Sequence, residues 1–126
     1  MKIAVAGGTG LVGRQTVEAV RRVGHDPLVL ARSVGVDLTS GAGLAAALDG
    51  VDAVIDVTNT PSVDTDQVRA FFATVTGHLL AAEHHAGVRH HVVLSIVGLD
   101  PLPDEGHYAG KREQERLPYP APSQPA

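Results

Sequence analysis

Apolar positions along this chain fall into two patterns, short unbroken runs and longer stretches with a helical period. Lys2–Ala6 is the first run, apolar from Ile3 onward. Pro27–Ala31 is the second, with Leu28, Val29 and Leu30 apolar on both faces; Val51–Val57 and His90–Val97 are the third and fourth. Such continuous runs suit strands of a parallel sheet that helices cover on both sides. Between them the period changes. Leu11–Val23 carries Val12, Thr16, Ala19, Val20 and Val23 on one helical face, with Gly24 placed to cap its end. Leu44–Leu48 reads as a short helix closed by Gly50. Asp66–Ala86 is the longest helix, striped by Val68, Phe71, Phe72, Val75, Leu79, Ala82 and Ala86 and ended by Gly87. Lys111–Leu117 is a short, highly charged helix whose alternating signs read as a solvated face.

The alternation of strand and helix predicts an α/β fold, a Rossmann-like doubly wound parallel sheet of four to five strands with right-handed crossovers. Between Ala31 and Asp37 there is no room for a crossover helix, so Gly35–Asp37 is at most a stub of an edge strand. Four main strands are expected rather than five. Residues 1–117 form one domain, and 118–126 form a proline-rich tail. Pro118, Pro120, Pro122 and Pro125 exclude a helix or an interior strand there. In this architecture a ligand belongs at the carboxyl ends of the strands, near the switch in strand order.

Composition narrows the chemistry. The chain has 126 residues and a net charge of −4, with no basic cluster, which argues against nucleic acid and anionic membrane surfaces as partners. Having no cysteine, it can form no disulfide, thiolate metal site or thiol nucleophile. There is no transmembrane run, and Met1 leads straight into a strand without a signal segment, so a cytoplasmic protein is expected. The pairs His84-His85 and His90-His91 resemble metal ligands. Adjacent histidines on a helix point in different directions, however, and no acidic partner is assigned to them, so surface or core-edge positions are expected and no metal.

The segment Ala4-Val5-Ala6-Gly7-Gly8-Thr9-Gly10-Leu11-Val12-Gly13 carries the chemistry. A strand, a glycine turn and a helix in that order make a phosphate cradle. Gly7 permits the tight turn, Gly10 permits close approach of a pyrophosphate, and Gly13 permits close packing of helix on strand. The leading amides of the helix point at the anion, and the helix dipole favours negative charge there. Gly7, Thr9, Gly10, Leu11, Val12 and Gly13 are therefore candidate cofactor-binding residues. A binder of NAD usually places an acid at the end of the second strand, to hold the ribose hydroxyls. Here that strand ends Ala31-Arg32-Ser33, and Asp26 lies at its wrong end. Arg32 can pair with a 2′-phosphate through its fork of donors, and Ser33 can add a hydroxyl; a solvated loop arginine is the alternative.

The glycine spacing of Gly7-Gly8-Thr9-Gly10-Leu11-Val12-Gly13 resembles that of the short-chain dehydrogenase/reductase superfamily, in its extended and atypical branches, and is similar to the NmrA-like, NAD(P)H-binding group. The resemblance runs from Lys2 to about Leu117. It implies NADP(H), preferred over NADH, through the Arg32-Ser33 pair. It implies that Asp37-Leu38 sits beside the adenine, although an Asx turn or helix cap before Ser40 accounts for Asp37 equally well. It implies that Thr58, Asn59 and Thr60 line the nicotinamide-side ribose; turn chemistry before Pro61 is the alternative.

For catalysis the resemblance implies a Ser, a Tyr and a Lys, which polarise a carbonyl, exchange its proton and hold the ribose beside a hydride donor. Ser95 and Lys111 match two of these positions. The position four residues before Lys111 is His107, and Tyr108 is three before it. Either His107 or Tyr108 could serve as proton donor, and the alternative is that neither acts. Asn is frequent in the family where His78 stands. The resemblance also implies a sixth strand and a substrate-closing segment, in whose place the proline-rich tail stands. It thus describes a C-terminally shortened member, truncated before the usual sixth strand. The strand His90–Val97 would then be an exposed sheet edge, expected to pair with a second copy, be covered by the tail, or promote aggregation. The resulting expectation is an NADP(H)-binding oxidoreductase acting on an unknown small-molecule carbonyl or quinone. The alternative is a non-catalytic NADP(H)-binding redox sensor or truncated pseudoenzyme.

Overall fold

The computed structural model describes residues 1–60 and 64–94. Their elements are β1 (Lys2–Ala6), α1 (Leu11–Arg22), β2 (Asp26–Leu30), a 3₁₀ turn (Arg32–Val34), α2 (Leu44–Ala47), β3 (Ala53–Asp56), α3 (Thr65–Ala86) and β4 (His90–Val93). The four strands pair in parallel in the order β2-β1-β3-β4. This is a Rossmann-like sheet, with the change of direction falling beside β1. Lys111–Leu117, residues 94–97 as strand and the tail 118–126 are sequence expectations that, apart from Leu94, lie outside the described residues.

Burial follows the two faces of the sheet. On one face Ala4 and Ala6 of β1, Leu30 of β2 and Val54 of β3 pack with Leu44 and Leu48 and with Val75, Leu79 and Ala82 of α3. On the other face Ile3 and Ala53 pack with Val20 of α1, with Ile55 half-buried beside them. Period-two alternation along β1 thus feeds two separate clusters. Asp52 binds the strand starts together: its carboxylate accepts from the Lys2 amide at 2.8 Å, and its own amide donates to the Lys2 carbonyl at 2.8 Å.

One expectation needs correction. The buried face of α1 is Gly13, Val17 and Val20; of the expected stripe Val20 is buried and Thr16 half-buried, while Val12, Ala19 and Val23 are exposed. Val12 and Val23 are 44% and 70% exposed. A Cβ at Gly13 would collide with the Gly7 carbonyl and the Gly8 backbone, so α1 is pressed flat at that glycine. That contact fixes the rotation of the helix and turns Val17 and Val20 inward. Gly35–Asp37 forms no strand, within the expectation of at most a stub there. Val36, only 2% exposed, plugs the cluster beneath α3 instead, and the crossover continues through α2.

Candidate functional site

At the carboxyl ends of the strands an open cleft of about 500 Å³ runs from the glycine turn past the end of β2. Its lining is Gly7, Thr9, Leu30, Ala31, Arg32, Ser33, Val36, Asp37, Leu38, Thr39, Thr58, Asn59 and Phe71. The site builds up from the turn. Gly7 has φ +84°, and a Cβ there would stand 2.8 Å from the Val57 carbonyl carbon and oxygen. Glycine at this position lets β1 end tightly against the exit of β3. Gly8 presses on Val29, where a Cβ would stand 2.9 Å from Cγ1. Gly10 differs from both: its φ is −76°, and a Cβ would meet nothing nearer than the Gly7 carbonyl at an ordinary 3.6 Å. Neither backbone conformation nor internal packing requires a glycine there. No side chain caps α1, and its first turn holds no acid, so its leading amides remain available to an anion. Arg14 Nε donates to the Thr9 carbonyl at 3.1 Å and braces the loop from the first turn of α1.

Two short turns of the same kind shape the walls. Asp37 Oδ1 accepts from the Thr39 amide at 2.9 Å, the Thr39 hydroxyl at 2.6 Å and the Ser40 amide at 3.4 Å. Asp56 Oδ1 accepts from the Thr58 amide at 3.0 Å and the Thr58 hydroxyl at 2.6 Å, fully buried at the end of β3. Each is an Asp-x-Thr turn in which the carboxylate replaces backbone partners that the chain has left behind. The Thr39 hydroxyl, then its amide, and more weakly the Ser40 amide and Arg32 nearby hold the Asp37 carboxyl below its usual range. All three of these bonds reach Oδ1, so the structure shows the Asx-turn role of Asp37.

Of the sequence candidates, Gly7, Thr9, Arg32, Ser33, Asp37, Leu38, Thr58 and Asn59 come together in the cleft. Gly10, Leu11, Val12 and Gly13 surround the mouth of α1 rather than lining the cleft, Gly13 serving the packing described above. Thr60 stands outside the lining, its amide donating to Asn59 Oδ1 at 2.9 Å. The Thr58 hydroxyl proton is directed inward to Asp56, as turn chemistry requires. Ser95, His107, Tyr108 and Lys111 lie outside the described residues. Sequence reasoning missed Thr39, Val36, Phe71 and Asp56. The repeated Asp-x-Thr, once at the end of β3 and once in the loop after β2, was a legible signal for Thr39 and Asp56; Phe71 and Val36 gave only a core pattern.

One histidine expectation also changes. His91 is not short of an acidic partner: its Nδ1 bonds the Glu83 carboxyl at 2.7 and 2.9 Å across the α3–β4 interface. Burial pushes the Glu83 carboxyl above its usual range, partly offset by His91. His84, His85 and His90 are exposed.

Comparison with known proteins places this geometry. A family model for the NAD dependent epimerase/dehydratase family matches residues 3–123. A (4-alkanoyl-5-oxo-2,5-dihydrofuran-3-yl)methyl phosphate reductase of Streptomyces griseus is 34% identical over 90% of this chain and 40% of its own length. A photosystem II assembly factor of Synechocystis is 31% identical over 77% of this chain and 34% of its own. The chain therefore spans well under half the length of these curated relatives. Among solved structures, UDP-N-acetylglucosamine 4-epimerase from Bacillus cereus superposes with a TM-score of 0.74 at 28% identity, over 93% of this chain and 47% of that one. A short-chain dehydrogenase/reductase superfamily protein from Agrobacterium tumefaciens with bound NAD gives 0.74 and 28%, over 93% and 44%.

Proposed function

The chain belongs to the NAD dependent epimerase/dehydratase family, and from that premise we propose that its cleft takes NADP(H) in support of a reductase of a small carbonyl or quinone compound. The observation that carries the reading is the room kept at Gly10. A Cβ at Gly10 would disturb neither the backbone nor the core, and its absence at the opening of α1 leaves a diphosphate room to reach the leading amides, as in glycine-rich dinucleotide turns. In this reading the diphosphate lies on the amides that open α1. The adenine lies along Leu38 and Asp37 Oδ2, and Thr58 and Asn59 face the nicotinamide-side ribose. Arg32 and Ser33, exposed at the end of β2 where an NAD binder would carry an acid, take the 2′-phosphate.

The nicotinamide, when bound, supplies hydride to the substrate. The chain's own contribution to that step is Ser95, Lys111 and either His107 or Tyr108, which would orient the carbonyl and exchange its proton. The Streptomyces relative, named as a reductase, supports this reading. A second reading is a dinucleotide-binding module without turnover. It is favoured by His107 in the place of the expected tyrosine, and by the Synechocystis relative, which is named as an assembly factor.

Titration with NADPH and NADH, followed by a panel of quinones and aldehydes, tests both. Arg32→Ala is expected to weaken NADPH by about tenfold or more, the worth of a charge-assisted hydrogen bond, and to leave NADH nearly unchanged. Equal losses for both coenzymes would remove the 2′-phosphate assignment. NADPH binding with no consumption on any substrate would favour the module, and absence of binding by either coenzyme would refute both readings.

A further inference from the structure

We propose that His78 of α3 is the positioning residue for the adenine wall of the cleft; this rests on the dinucleotide reading above. Its ring reaches from the helix to a loop 40 positions earlier in the chain, where Nδ1 lies 2.9 Å from the Leu38 carbonyl. A carbonyl oxygen only accepts, so Nδ1 carries the proton and donates. The ring is half-buried, and Gly41 lies against it: a Cβ at Gly41 would stand 3.4 to 3.6 Å from three atoms of the imidazole. Gly41 also has φ +81°, so the loop turns back over the ring at the one residue type that does so without strain.

The loop held in this way bears the cleft residues Asp37, Leu38 and Thr39. Within itself it is already knit. The Gly41 amide donates to the Asp37 carbonyl at 2.8 Å, and the Asp37 amide donates to the Ala42 carbonyl at 3.0 Å. Val36 and Leu44 anchor the two ends of the loop in the core, and Leu38 packs against it. The His78 bond adds the one side-chain hydrogen bond among the described residues that ties the middle of the loop to α3, which packs on the sheet through Val75, Leu79 and Ala82. A loop with internal order and a single-residue offset would carry Asp37 Oδ2 and the Leu38 side chain together, and the adenine contacts would be lost as a unit. A side chain that never touches the ligand therefore sets the geometry of those that do.

A role in positioning differs from a role in stability alone by what rescues it. Asn places its amide nitrogen at the same number of bonds from the backbone as histidine Nδ1 and donates from there. Leu fills comparable space and donates nothing. Binding of ADP-ribose and of inorganic pyrophosphate, which reaches only the mouth of α1, should be measured for the full chain and for His78→Leu and His78→Asn. ADP-ribose is expected to bind His78→Leu about fivefold more weakly than the native protein, the worth of one net hydrogen bond, and His78→Asn within about twofold. Pyrophosphate is expected to bind all three alike.

Leu binding like the native protein, Asn as weak as Leu, or pyrophosphate weakening in step with ADP-ribose would each overturn the proposal. The ring tautomer of the native protein, read by long-range ¹⁵N–¹H correlation, does not depend on any variant folding. An Nδ1-protonated ring is expected, and an Nε2-protonated neutral ring would overturn the proposal. Failure of the native protein to bind ADP-ribose would refute the dinucleotide reading. The tautomer would still report the hydrogen bond itself.

Discussion

At the scale of single residues, the glycine turn separates two reasons for being glycine. Gly13 is required by the protein: a Cβ would strike the Gly7 carbonyl, and α1 would have to lift from β1. Gly10 has space that the protein leaves unused. Gly13→Ala is expected to destabilise the fold by several kcal/mol, roughly as overpacking at a helix–strand contact does. Gly10→Ala is expected to leave the melting temperature nearly unchanged and to weaken NADPH by about tenfold or more, since a methyl group would stand where the diphosphate approaches. Melting curves alongside coenzyme titration check both, and a Gly10→Ala protein that binds normally would remove the central support of the functional reading. The spacing already assigns separate roles to Gly7, Gly10 and Gly13. The positive φ of Gly7 and the backbone contacts at Gly13 agree with the turn and packing roles, and the distances from each missing Cβ give the cost of changing each one.

At the scale of elements, α3 joins core to cleft. Adjacent positions on a helix point about 100° apart, so Phe72 is fully buried while Phe71, edge-on to it with ring centroids 5.3 Å apart, reaches the cleft lining. Further along, His78 meets the loop after β2 and Glu83 meets β4. The start of this helix is set by Asp64, whose carboxylate accepts from the Gln67 amide at 2.9 Å. Asp64→Ala is expected to cost about 1 kcal/mol in urea unfolding, the usual worth of an N-cap carboxylate. A loss no greater than that of an exposed surface substitution would show that packing alone positions the helix. Element existence was readable from period and punctuation: β1, α1, β2, α2, β3, α3 and β4 all stand where apolar runs and glycines place them. Rotation was not readable for α1, because valines lie on both of its sides and periodicity cannot rank two adjacent apolar faces. The Gly13 contact made the choice.

At the scale of the molecule, α3 and the sheet strand β4 meet at a buried titratable pair. Glu83 near the end of α3 and His91 in β4 have side chains only 7% and 9% exposed. Burial raises the Glu83 pKa above 4.5, so the folded state holds a proton that the unfolded state has already released. Stability from this group is therefore fully present below its unfolded pKa and is lost as pH rises through the raised folded value. Glu83→Gln is expected to flatten that decline, removing a slope of at most about 1.4 kcal/mol per pH unit, with urea unfolding between acid and neutral pH as the measurement. A native protein whose stability rises across the same interval by as much as the variant's would contradict the assignment. The pair escaped sequence reasoning because its partners belong to different elements. Neighbouring histidines draw attention, and the turn at Gly87 from α3 into β4 sets His91 against an acid eight positions earlier.

The sequence by itself determined the sheet class, the number of main strands, the glycine cradle and the place of Arg32 and Ser33 at the end of β2. Each of these depends on local terms: side-chain period, the φ freedom of glycine and the order of charges along a few residues. The tertiary structure alone decided which face of α1 is buried, how the two Asp-x-Thr turns share the walls of one cleft, and that His78 reaches Leu38. It also decided that Glu83 lies against His91. These depend on distances between side chains and backbone of different elements, which no local pattern encodes and which close packing fixes to within a fraction of an ångström.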